Sequence, residues 1–103
     1  MSRIEHQWKD CRKYLAWVRT QPCCCCGHPE TIYHHLIGKG DGMMGAKAAD
    51  FDTLPLCGRH HTGDLGIHTL GVDEWEAEFG DQNEMVRKTL LRAIQDGVLV
   101  LGH

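Results

Sequence analysis

Two pairs of soft metal ligands stand far apart in this 103-residue chain: Cys23-x-x-Cys26 and, after 30 intervening residues, Cys57-x-x-His60. Zinc takes four thiolate or imidazole donors in a tetrahedron. A C-x-x-C turn delivers two of them, and a second pair closes the cage from a distant segment. Cys24 and Cys25 blur the register of the first pair. Cys23 and Cys26 are chosen for their two-residue spacing and for Gly27, which suits the turn. The bland alternative, thiols with no metal, leaves a run of four cysteines open to oxidation.

A second set comprises the adjacent His34 and His35, then Asp52, then His61. Phosphodiester hydrolysis needs a base to deprotonate water and a divalent cation to neutralise charge on the phosphate, and histidine can serve both needs. Each of these residues alone reads as an ordinary polar side chain; together they read as a site. On a helix opening at Cys57, positions 60 and 61 point about 100° apart. His60 can then face the zinc while His61 faces a second metal.

The elements that must position these groups follow from periodicity. Ser2-Arg3-Ile4-Glu5 fits a capping box, and Ile4, Trp8, Cys11, Leu15 and Val18 form one helical stripe, which predicts a helix over 3–19. Trp8 and Trp17 read as packing residues rather than base-stacking platforms, and Cys11 as a small buried hydrophobe. Pro22 ends that helix ahead of the cysteine knuckle. Residues 31–37 are rich in β-branched and aromatic side chains and predict a strand, and 51–56 a returning strand, with the glycine-rich 38–45 as a loop between them. No Gly-Lys-Ser/Thr opens a helix after that loop, so it is not a phosphate-binding P-loop. Cys57 to Thr62 predicts a short helix interrupted by Gly63 and Gly66, 73–78 a further helical segment, and the stripe from Met85 to Ile94 an amphipathic helix ended by Gly97.

The length suits one domain, 1–103, made of an N-terminal helix (1–21), the knuckle and hairpin core (22–68) and a helical remainder (69–103). With 12 glycines and 42% hydrophobic residues the core is moderate, so a metal staple contributes a useful share of stability. No run resembles a signal peptide or a membrane span, which predicts a soluble, cytoplasmic protein, and in that compartment cysteines bind metal more often than they cross-link. The net charge of −3 argues against strong unaided nucleic-acid binding, yet residues 1–59 carry +2 and residues 60–103 carry −5. Any DNA-facing surface therefore falls on the first half, where Lys39, Lys47 and Arg59 lie nearest the chemistry.

The order C-x-x-C, His34-His35, then Asp-x-Leu-Pro-Leu-Cys-x-x-His-His over 52–61 resembles the HNH endonuclease superfamily. With Tyr33 and the glycine-rich loop included, it is nearest to the Ref-like, RecA-dependent nucleases of phages and prophages. The resemblance spans roughly residues 22–80. It implies an α+β fold, a ββα-metal core with a treble-clef-like zinc site flanked by helices. It also implies metal-dependent hydrolysis of DNA, with Mg²⁺ or another divalent cation at the catalytic centre and, as partners, DNA and a recombinase filament. By the same resemblance His35 is the general base, and Asp52 takes the middle position, normally Asn, that orients the base. His34 and His61 hold the catalytic metal with His68 as the third candidate, and His60 replaces the usual fourth cysteine of the zinc cage. Asp at the Asn position accepts a hydrogen bond but cannot donate one. That departure and the acidic C-terminal half keep a rival reading open, a zinc-stabilised nucleic-acid-binding module without catalysis. A third is a protein-interaction adaptor folded by zinc.

Overall fold

The computed structural model describes residues 11–37 and 50–99. In chain order these form α1 (Arg12–Val18), β1 (Ile32–His35), β2 (Thr53–Leu56), α2 (Gly58–His61), α3 (Ile67–Leu70), α4 (Val72–Phe79) and α5 (Gln82–Gln95). The fold is mixed α+β, with one two-stranded sheet among the described residues. The capping box at 2–5, the stripe residues Ile4 and Trp8, the glycine-rich loop 38–45, and Lys39 and Lys47 lie outside the described residues.

β1 and β2 run antiparallel with Ile32 opposite Leu56, Tyr33 opposite Pro55, His34 opposite Leu54 and His35 opposite Thr53. Side chains alternate along a strand and cross-strand partners share a face. His34 therefore shares a face with Leu54 and Leu56, which pack with Ile67, Trp75, Met85 and Val86. His35 falls on the other face with Tyr33, over which α1 lays Tyr14 and Val18 beside Phe51 and Ala93. β2 is buried along its whole length because both of its faces are covered. Burial of Leu54, Leu56 and Ile67, none more than 1% exposed, stabilises the hairpin–helix unit by roughly 1.5–3 kcal/mol per side chain.

The strands are shorter than the runs of β-forming residues suggested. Phe51 and Asp52 belong to a turn, closed by Thr53 Oγ1 donating to the Asp50 carbonyl at 2.8 Å, so β2 opens only at Thr53. Pro55 has no N–H to offer, but its carbonyl accepts from Cys24 N at 3.0 Å, which ties the cysteine knuckle to β2.

Downstream, α5 begins three residues before the stripe that marks it. Asp81 caps it by accepting from Asn83 N at 2.8 Å, and Gln82, Met85, Val86, Thr89 and Ala93 form its buried face. Between α2 and α3 the chain doubles back so closely that a Cβ on Gly66 would lie 2.5 Å from the His61 carbonyl oxygen. Only glycine permits that approach. It returns His68, on α3, toward His61.

Candidate metal centres

The first centre joins two segments that β2 holds together. The knuckle turns at Gly27, whose φ of +77° is accessible mainly to glycine. It is closed by Gly27 N donating to the Cys23 carbonyl and Cys23 N to the His28 carbonyl, both at 2.9 Å. The second segment is Cys57 at the start of α2, with His60 one turn later. Cys26 Sγ and Cys57 Sγ are 3.7 Å apart, Cys57 Sγ and His60 Nδ1 3.2 Å, and Cys23 Sγ and His60 Nδ1 4.0 Å. Tetrahedral zinc, with bonds of about 2.3 Å to sulfur and about 2.0 Å to nitrogen, sets sulfurs ~3.8 Å apart and sulfur from nitrogen ~3.5 Å. All four donor atoms lie within 4.8 Å of one another, so the group can hold a metal such as zinc.

The surroundings suit that role. Burial pushes the Cys23 thiol up, but N–H groups of Cys57, Cys25 and Cys26 aimed at its sulfur outweigh burial and hold it below its ordinary value. Burial likewise lowers His60, favouring the neutral imidazole a metal needs, and the ring packs edge-on against Phe79 with centroids 4.9 Å apart. Cys24 is exposed and Cys25 packs against the core. Neither belongs to the four-donor group, which the structure forms from Cys23, Cys26, Cys57 and His60.

The second group brings together His34 of β1, His61 of α2 and His68 of α3, again with ligand atoms within 4.8 Å of one another. His61 Nε2 and His68 Nε2 are 3.2 Å apart, and the His34 ring centre lies 5.0 Å from that of His61 and 5.3 Å from that of His68. Two protonated rings could not sit this close at low cost, so the cluster favours free lone pairs. Burial, with His61, His68 and His35 as neighbours, pushes His34 down to about 4, and burial and His68 lower His61. Helix α2 thus turns His60 toward the cysteines and His61 toward the strand.

Gln82 escaped the sequence reading: fully buried, it meets His34 Nε2 through Oε1 at 3.2 Å. Extending the α5 stripe back one turn from Met85 and Val86 lands on Gln82, which is the signal that could have found it.

His35 stands apart from the three histidines, on the other face of the hairpin. Its Nε2 donates to Asp50 Oδ1 at 3.0 Å, and Asp50 Oδ2 accepts from Cys11 N at 2.7 Å. The carboxylate against His35 is therefore Asp50, not Asp52. Asp52 instead accepts from Leu36 N through its main-chain carbonyl at 2.8 Å. Its charge adds to burial in raising Tyr14. The difference arises in the turn at 50–52, which points the earlier acid back toward β1. Of the expected DNA-facing cations, Arg59 is exposed and pairs with Asp64 at 3.3 Å.

Among the described residues no helix is long and apolar enough to cross a membrane. The family described as Protein of unknown function (DUF968) matches residues 1–97. The chain is 48% identical over 87 residues to the uncharacterized protein YdfU of Escherichia coli (strain K12). That alignment takes in 84% of this chain and 24% of YdfU, so the chain spans about a quarter of that curated relative's length. No solved structure matches the chain.

Proposed function

We propose that this chain, which belongs to the DUF968 family, is a zinc-stapled, metal-dependent DNA endonuclease of the HNH type, with a ββα-metal core. The observation that carries the reading is the second histidine group. A hairpin strand and two short helices converge three imidazoles on one point, and the same α2 helix serves a separate Cys₃His cage. The four-donor group already supplies a structural staple, so the second group is free for another role.

The donor set bears on the cation. Three imidazoles without a carboxylate suit borderline transition ions such as Zn²⁺, Co²⁺ or Ni²⁺ better than Mg²⁺, which prefers oxygen. His34, His61 and His68 would hold such an ion, which when bound supplies charge neutralisation at the phosphate and the departing 3′ oxygen. His35, with Nε2 held by Asp50, is left with Nδ1 to take a proton from water. Asp50 fixes the ring's orientation, the role expected of Asp52. Among the described residues β1 pairs with β2 alone, and DNA lying along its other edge would have to meet His35 on one face of the hairpin and the three-histidine group on the other. With a net charge of −3, the chain draws little affinity from phosphate contacts, which suits recruitment by a partner such as a recombinase filament on DNA.

One observation favours a second reading. His35 and the three histidines occupy opposite faces of the hairpin, an arrangement equally compatible with a zinc-dependent nucleic-acid-binding module that does no chemistry. Incubating supercoiled plasmid with the protein and Mg²⁺, Co²⁺, Ni²⁺ or Zn²⁺ separates the two. Nicked circles, strongest with a transition ion, are the expected result, whereas uncut plasmid retained in a salt-sensitive manner selects the binding module.

A further inference from the structure

The amide of Gln82 is oriented by the main chain at the end of the hairpin strand. Ile37 N donates to Gln82 Oε1 at 3.2 Å, and Gln82 Nε2 donates to the Ile37 carbonyl at 3.3 Å. Exchanging the two ends of the amide would set donor against donor and acceptor against acceptor, so the oxygen must face Ile37 N. The same oxygen is the atom 3.2 Å from His34 Nε2. A carbonyl oxygen only accepts hydrogen bonds, so His34 Nε2 must carry the hydrogen. In a neutral imidazole the lone pair then resides on Nδ1.

We propose that Gln82 is a positioning residue that holds His34 in its Nε2–H tautomer and so presents Nδ1 as the donor to a metal shared with His61 and His68. The inference rests on the reading that these three histidines bind a metal, and not on the reaction that metal supports. Gln82 is itself held in place: its main-chain N donates to Glu76 Oε2 at 2.8 Å, which pins the start of α5 to α4. The strand end, the helix start and one ring are thus joined through a single buried amide. A histidine ligand whose second nitrogen is engaged in this way has its ring orientation set before the metal arrives, and loss of such partners weakens metal sites by about 10- to 100-fold.

The test uses the full chain loaded with zinc at the cysteine cage. In ¹⁵N spectra of its imidazoles at pH 7.5, with no second metal added, His34 is expected to show a protonated Nε2 and a bare Nδ1. Titration with Co²⁺ should then give about 10- to 100-fold weaker binding at the second site for Gln82→Met than for the wild type, with one zinc per chain retained. Gln82→Glu keeps an acceptor toward His34 and, protonated on its second oxygen in this buried place, a donor toward the Ile37 carbonyl, so it should recover most of that affinity. An Nδ1–H tautomer in the wild type overturns the proposal. So does Gln82→Met binding Co²⁺ as tightly as wild type, or Gln82→Glu binding as weakly as Gln82→Met. Should Gln82→Met not fold, the wild-type tautomer and Gln82→Glu decide the matter. A wild type that binds no Co²⁺ defeats the three-histidine metal reading, and this proposal with it. Wild-type binding with an unaffected Gln82→Met defeats the proposal alone.

Discussion

His60 and His61 are neighbours of identical chemistry assigned to different metals. His60→Ala opens the Cys₃His cage and is expected to lower zinc content and melting temperature together. His61→Ala removes a side chain from the other group, so zinc by elemental analysis should stay at one per chain while second-site binding of Co²⁺ falls. An exchange of these two outcomes reverses the assignment. On the opposite face, His35→Ala should cost about 10²- to 10⁴-fold in plasmid cleavage with zinc retained. Asp50→Asn should cost part of that, because His35 and Cys11 N meet separate carboxylate oxygens and an amide replaces one of them with a donor. The helical angle between residues 60 and 61 was legible from spacing alone. The choice between Asp50 and Asp52 was not: two acids of one type sit two residues apart, and only the turn that carries Asp52 into a main-chain bond with Leu36 decides between them. Gln82 was hidden for a related reason, since its partners His34 and Ile37 are more than 40 residues away.

At the scale of elements, the histidine group depends on how tightly α3 folds back on α2. Gly66→Ala places a methyl group against the His61 carbonyl, and a backbone contact that close has no flexible side chain to yield. The variant is expected to lose roughly 1–3 kcal/mol of stability, in the range of an overpacked site, and to weaken the second metal site while sparing the cysteine cage. Calorimetry and zinc analysis on one sample check both halves. An unchanged melting temperature would mean that the α2–α3 turn is looser than described. Periodicity revealed α5 and the hairpin because apolar stripes are local. It set the strand ends too far out, since β-forming residues pack on the core just as well outside a strand, Phe51 in the turn before β2 and Ile37 beyond the end of β1.

For the whole molecule, stability and metal binding should share a pH dependence. His34 is held down to about 4 by burial and its histidine neighbours, whereas an unfolded histidine titrates near 6.5. The unfolded chain therefore takes up the proton first. The stabilisation is complete above about pH 6.5 and is lost as pH falls from there toward 4. Melting temperature should drop more steeply over that interval in the wild type than in His34→Gln, and equal slopes would remove His34 from the explanation. Zinc held by the four-donor group would stabilise both proteins alike and more strongly, by on the order of 10 kcal/mol at neutral pH, so Cys57→Ser should be largely unfolded by circular dichroism.

Cleavage of supercoiled plasmid by the zinc-loaded protein, wild type beside His61→Ala, tests the central claim most directly. With Co²⁺, Ni²⁺ or Zn²⁺ supplied in turn, nicked circles should accumulate with the wild type and form at least about 10- to 100-fold more slowly with His61→Ala, both proteins still carrying their structural zinc. Intact plasmid from the wild type under every metal, or equal nicking by the two proteins, would contradict the assignment of a metal-dependent nuclease centre to His34, His61 and His68.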